Sequence, residues 1–319
     1  MAYGQSGHLA ISFQNSFGTS FTDSQVFIPL VSESITETIN QIVENNMYAR
    51  LAESPTHEGV HEIEGDIATD AHPIAMGMFL KGALGSVSTT PQDSAFLHEF
   101  LPATADWDAY AAVPPMTVEV YRDAGSAFIY HDMLGASLTL EISQGQLLTA
   151  GMGMLGGQFG QSAQSATDFK AGRPWSWDVV SATYDGGVLA ELRQVSLVFD
   201  NQLASHFTLS GGRSPHRIKR SGPQTVSVEG TMLFQDQALF SEYQTQSEKR
   251  LLIQFGGQTV AESYQTELTV DIPRLRFAEF SPQINGAGQL EVSFSGKGVY
   301  DAGSGYAMRV TLTNTMAGY

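Results

Sequence analysis

The stretch "HEGVHEIEGD", His57 to Asp66, decides the fold, because its two readings lead to different proteins. As His57-Glu58-x-x-His61 it has the spacing of zinc peptidases, in which two imidazoles one helical turn apart share a metal and the glutamate activates its water. That chemistry requires a helix. Pro55 precedes the motif, Gly59 sits inside it and Gly65 follows, and all three are unfavourable in a helix interior. His61, Ile63, Gly65 and Ile67 instead alternate with Glu62, Glu64 and Asp66, the period of a half-buried strand. On a strand, residues i and i+4 lie about 13 Å apart, too far for one ion. The Gly and third His of the extended peptidase signature are absent, and Glu99 is only loosely placed as a third ligand. The segment reads as an acidic loop running into a strand, with no catalytic, cofactor or metal residues assigned.

The chain has 319 residues, enough for about two domains, and 42% of them are hydrophobic, enough for a sizeable core. Its 33 acids against 16 bases give a formal net charge of -17, which disfavours adhesion to nucleic acid or to an anionic membrane. There is no cysteine, hence no disulfide framework and no thiol chemistry. The N-terminal residues lack a signal-peptide pattern. The most apolar run, "PIAMGMFLKGALG" from Pro73, is too short to span a bilayer and carries Lys81. No G-x-S-x-G elbow or P-loop occurs.

Three short stretches recur in the same order. "IVENN" at 42–46 resembles "VFDNQ" at 198–202, "IEGD" at 63–66 resembles "VEGT" at 228–231, and "GQLL" at 145–148 resembles "GQLE" at 288–291. Colinear matches point to a duplication, with a first domain over 1–155, a linker over 156–174 and a second domain over 175–319. Each half shows strands, then one helix, opened by Pro73 in the first and spanning Gln235 to Lys249 in the second, then further strands. Among these are Phe128 to His131 and Ser137 to Ile142, matched by Tyr264 to Ile272 and Phe277 to Phe280. The first half has about 22 extra residues, assigned to a long inserted loop near 86–115.

Several features have a bland alternative. Gly151-x-Gly153-x-x-Gly156 has dinucleotide-binding spacing, but no apolar helical stripe follows, so 151–174 reads as linker. His98-Glu99 and His131-Asp132 read as solvated surface. Trp175 and Trp177 suit either a sugar-stacking platform or an anchor of the linker to the next domain. Arg213, Arg217, Lys219 and Arg220 put four of the sixteen bases into eight residues. The connection expected at the same place in the first half carries Glu53, Glu58 and Glu62, so the two loops have opposite sign and are candidates for charge pairing between subunits. On the strand Leu192 to Asp200, Ser196 and Asp200 share a face opposite Val195, Leu197 and Phe199. Asn40 and Glu44 are their counterparts.

This order of elements resembles the tail tube (major tail) proteins of long-tailed bacteriophages, in a duplicated-domain form. The resemblance implies a mainly β (α+β) fold of two tandem β-sandwich or barrel tube domains, each with one flanking α-helix. It implies a structural virion protein without enzymatic activity, assembled in the host cytoplasm. A duplicated member would form a homotrimeric, pseudo-hexameric ring, and the rings would stack into a tube that delivers DNA without holding it, partnered by a tape-measure protein and tail-end proteins and without a membrane anchor. Asn40, Glu44, Ser196 and Asp200 are then the lumen-facing candidates. A tail hub, baseplate or capsid-decorating protein is the nearest alternative, and a carbohydrate-binding module a further one.

Overall fold

A computed structural model describes residues 3–18, 25–49, 51–103, 113–170, 172–209, 212–261, 264–282, 284 and 288–319. The chain is mainly β. In order it forms β1 (His8–Phe13), β2 (Val26–Ile28), β3 (Ser32–Glu33), β4 (Thr36–Val43), β5 (Thr56–Asp70), α1 (Ala75–Leu84), β6 (Gly85–Gln92), β7 (Ala95–Pro102), β8 (Met116–Tyr121), β9 (Ala127–Ser143), β10 (Thr149–Gly156) and β11 (Gln158–Ser162). There follow β12 (Val180–Tyr184), β13 (Gly187–Val188), β14 (Leu192–Asp200), β15 (Leu203–His206), β16 (Arg217–Arg220), β17 (Thr225–Leu233), α2 (Ala238–Thr245), β18 (Glu248–Ala261), β19 (Tyr264–Pro282), β20 (Glu291–Gly298) and β21 (Arg309–Asn314).

The architecture turns on two long strands that each serve two sheets. The first part of β9 pairs with β8 and β11, and its second part with β10 and β14. β19 repeats this, pairing early with β18 and β21 and late with β20. Each passes through a bulge, at Ala136 opposite Gly153/Met154 and at Ala278 opposite Ser295/Gly296, and a bulge bends a strand and sharpens its twist. This is why two expected strand pairs, Phe128 to His131 with Ser137 to Ile142 and Tyr264 to Ile272 with Phe277 to Phe280, are each one continuous strand.

One long antiparallel sheet therefore runs through both halves in the order β4-β5-β10-β9-β14-β17-β20-β19. Its upper end holds the pairs Val43/Thr56 and Asp200/Thr225. Its lower end holds Asp70/Thr149, Ser143/Gln194 and Leu233/Glu291. Shorter sheets cover its apolar face, β2-β1-β8-β9 with β11 on one side and β12-β18-β19-β21 on the other. The apolar residues between these layers form one contiguous cluster. The three recurring stretches fall on or beside β4 and β14, β5 and β17, and β10 and β20, though not on matching rungs of the ladders.

Helix α1 lies inside this cluster, with nine of its ten residues buried, as expected of a helix apolar on every side. Phe79 and Leu80 are fully buried, each contributing about 1.5–3 kcal/mol by removal from water. The C-terminal Tyr319 plugs the open side of α1. A Cβ at Gly77 would lie 1.9 Å from the Tyr319 ring, and the Tyr319 hydroxyl donates to Ile74 O at 2.9 Å.

Several expectations change. The 86–115 stretch is not an open loop: it begins with the β6–β7 hairpin, and β7 pairs with β21 of the other half, while 104–112 lies outside the described residues. Gly151, Gly153 and Gly156 belong to β10, and β11 lies within the stretch read as linker. The acidic connection is partly strand, because Glu58 and Glu62 stand on β5, and Arg217, Lys219 and Arg220 stand on β16. His98 and Asp132 are fully buried, not solvated. His98 Nδ1 meets Thr89 Oγ1 at 2.8 Å and Nε2 meets Asn314 Oδ1 at 3.2 Å, contacts made available by the β7–β21 pairing. Asp132 Oδ1 accepts from Gln14 Nε2 and Gly18 N.

Candidate functional site

The face of the long sheet turned away from the core carries the chain's charge pattern. Alternation along β14 buries Val195, Leu197 and Phe199 and leaves Gln194, Ser196, Val198 and Asp200 on the other side. Ladder neighbours share a face, and Ser196 stands between Glu141 of β9 and Glu229 of β17. Gln194 Nε2 donates to Glu141 Oε1 at 2.9 Å across the join between the halves. Two shallow depressions map the same surface. One is bordered by Glu64, Asp66, Ser137, Gly153 and Asp200, the other by Ser196, Glu229, Thr231, Glu279, Ser281 and Ser293. The sheet thus presents carboxylates spaced by Ser, Thr and Gly, with Lys297 near the upper end. Small side chains keep the surface flat, and repeated carboxylates repel polyanions.

Of the four residues singled out for this face, Ser196 and Asp200 lie on the sheet proper. Asn40 joins it through Glu62, its Nδ2 donating to Glu62 Oε2 at 3.5 Å. Glu44 sits beyond the end of β4, where it accepts from Tyr48 Oη and meets His57 Nε2 at 2.6 Å. Its carboxyl is held below the usual range by the Tyr48 hydrogen bond and then by His57. Sequence reasoning missed Glu64, Asp66, Glu141, Glu229 and Glu279. The alternation that marks β14 was a sufficient signal for Glu229 on β17 and for Glu64 and Asp66 on β5.

The β4–β5 hairpin projects past the upper end of the sheet, and Ile39, Ile42 and Val43 on it are exposed. Its His-Glu motif lies on β5, a strand, so the helical zinc-peptidase arrangement is absent. His57 turns to Glu44, while His61 Nδ1 meets Glu37 Oε1 at 2.8 Å and Nε2 meets Glu58 Oε1 at 2.7 Å. Glu37, followed by Glu58, raises the His61 pKa against the opposing effect of burial. Arg213 closes the group within the same chain: its Nη1 lies 2.5 Å from Glu58 Oε2, and its carbonyl accepts from His61 N at 2.9 Å. Glu53 is exposed in the β4–β5 loop. Arg217 is exposed on β16, Lys219 is half-buried, and Arg220 donates to Asn201 Oδ1 at 3.3 Å.

The two halves are joined by more than strand pairing. Asn201, fully buried, donates from Nδ2 to Ala83 O at the end of α1 and to Gly135 O on β9, at 2.7 and 2.9 Å. Trp175 is buried and its carbonyl accepts from Leu148 N at 2.9 Å, so it anchors the segment leading to β12. Trp177 is exposed and borders a cleft. Among the described residues no group of three or more His, Asp or Glu side chains is placed to hold a metal ion, and no helix is long and apolar enough to cross a membrane.

At its ends the long sheet is unfinished: among the described residues β4 pairs only with β5, and β19 from Phe277 to Pro282 pairs only with β20. The sheet thus has two open edges, one apolar face covered and one acidic face bare, and an open edge is a ready template for pairing with another strand. A search of curated proteins finds no match. The profile of the family described as phage tail tube protein matches residues 4–298, nearly the whole length over which these sheets are built, and the chain belongs to that family.

Proposed function

We propose that the protein forms homo-oligomeric rings of three chains that stack into the tail tube, with the acidic face of the long sheet lining the channel through which DNA is delivered. The observation that carries this reading is the eight-stranded sheet with its open edges at β4 and β19. Inside the chain, late β9 pairs with β14 and so joins the first half to the second. The halves present the same strand order, so late β19 of one chain can meet β4 of the next in the same way. This is a heterologous contact that closes after three chains if each repeat turns the sheet by a sixth of a circle. Such closure removes the edges that would otherwise template aggregation. A wall in which carboxylates outnumber the cations at its upper end, Lys297 and Arg276, repels phosphates and leaves DNA few contacts to break as it moves.

The internal join supplies a register. Across the second half, Val198, Ser227, Lys297 and Arg276 are successive ladder neighbours. Across the first, Thr36, Glu64, Leu155 and Leu134 are. Counting from the two bulges, Ser281 stands where Thr139 does, and Thr139 faces Val198. Ser281 should therefore face Thr36 of the next chain. The chain has no cysteine, so Thr36→Cys combined with Ser281→Cys gives a trap without background. Oxidised assemblies should run as cross-linked trimers when denatured without reductant. Rings that form but never cross-link would show that these edges do not meet.

A further inference from the structure

The basic cluster and the lower rim lie at opposite ends of the long sheet. At the upper end the β15–β16 hairpin carries Arg217 and Lys219 on β16, with exposed His206 and His216 beside them. Leu209, in the loop between its strands, is fully exposed. At the lower end, where β9 meets β14, a cleft of about 430 Å³ is floored by Ile142, Leu192, Leu233 and Trp177. Its rim is acidic: Glu191 borders it, Asp178 adjoins Trp177, and Glu291 and Asp236 flank the neighbouring strand ends. Arg193 at this rim is engaged by Glu291 and Gln144, and Arg173 lies near Asp178.

We infer that rings stack head to tail through this pair of surfaces, the β15–β16 hairpin of one ring docking on the lower rim of a second copy of the chain in the next. The proposal rests on the ring reading and adds which surfaces meet. Charge complementarity selects the occupant. In a chain of net charge -17, a concentrated basic hairpin at one end faces an acidic rim at the other after a translation along the strands, with no reversal of direction. A contact of that kind is heterologous and open-ended, so it builds a filament. Opposite charges steer the encounter and disfavour tail-to-tail collision of two acidic rims. Leu209, exposed in the hairpin loop, supplies an apolar group for the cleft floor.

The test uses two full-length variants. Arg217→Glu with Lys219→Glu makes the upper surface acidic and leaves the lower rim intact. Glu191→Lys with Glu291→Lys makes the lower rim basic and leaves the hairpin intact. Each alone should form rings of three by native mass spectrometry, yet the concentration needed for tubes by negative-stain microscopy should rise at least about tenfold, the equivalent of losing about 1.4 kcal/mol per ring-to-ring interface. An equimolar mixture should regain tubes, because the two variants alternate with every contact between opposite charges. The proposal is overturned if either variant alone elongates like the wild type, if the mixture stays as rings, or if a variant loses the rings themselves. Absence of rings in the wild type would instead refute the ring reading, so the two failures are distinguishable.

Discussion

Replacing Asn201 by Ala should break the join between the halves more severely than any surface change. Its Nδ2 satisfies two carbonyls, Ala83 O and Gly135 O, and its Oδ1 accepts from Gln224 Nε2 at 2.8 Å as well as from Arg220. Ala83 and Gly135 are both buried, so in Asn201→Ala two carbonyls lose this partner away from water, while the half-buried Gln224 amide keeps its contact to Ala103 O. Each orphaned buried group costs about 1–3 kcal/mol, and the longer Arg220 contact adds little, giving a loss of about 3–5 kcal/mol. For a chain of 319 residues that corresponds to a fall in Tm of about 4–8 °C. The measurement is thermal unfolding of dilute, unassembled protein. Asn201→Asp keeps the shape but sets a carboxylate oxygen against both carbonyls, and should be at least as damaging at neutral pH. A loss under about 1 kcal/mol in both variants would refute the claim that this side chain fastens the halves.

Gly135→Ala should destabilise the protein by about 1–3 kcal/mol through overpacking, because a Cβ there would lie 2.5 Å from Gly82 O and 3.1 Å from Ala83 Cα; a neutral effect in chemical denaturation would mean that α1 can move off β9. Asp271 is buried, which alone would raise its pKa, but hydrogen bonds from Arg250 and Tyr306 and the charges of Arg250 and Arg309 hold it below the usual carboxylate range. Its contribution is therefore present above the unfolded value of about 3.9 and lost as pH falls through the folded one, so Asp271→Asn should lower Tm at pH 7 and converge on the wild type in acid. His61 behaves in the opposite sense. With its pKa raised by Glu37 and Glu58, its contribution is complete below about 6.5 and disappears as pH rises through the folded value. Titration by nuclear magnetic resonance should place it above the free imidazole, and Glu37→Gln should bring it down.

The sequence made the strand character of His57 to Asp66, the two helices and the polar face of β14 legible, because each rests on local periodicity. α1 was visible from Pro73 and an apolar run interrupted only by Lys81. The number of strands was less legible, since β9 and β19 are bent by bulges at Ala136 and Ala278, and an extra residue in a ladder leaves no local signature. The β6–β7 hairpin was hidden in a segment read as a loop; its stability comes from β21, more than two hundred residues away in sequence. The burial of His98 and Asp132 has the same origin, because only tertiary pairing supplies the partners that make a buried polar group tolerable. For the acidic face, alternation within β5, β14 and β17 was legible strand by strand, whereas register between strands, which decides which carboxylates share a surface, was not.

Cryo-electron microscopy of assembled protein tests the central claim most directly. The account predicts three chains per ring, their eight-stranded sheets joined into a closed barrel of twenty-four strands, with β19 beside β4 of the next chain and Glu64, Asp66, Glu141, Asp200 and Glu229 lining the channel. A ring in which β4 and β19 remain unpaired, or in which these carboxylates face outward, would contradict it.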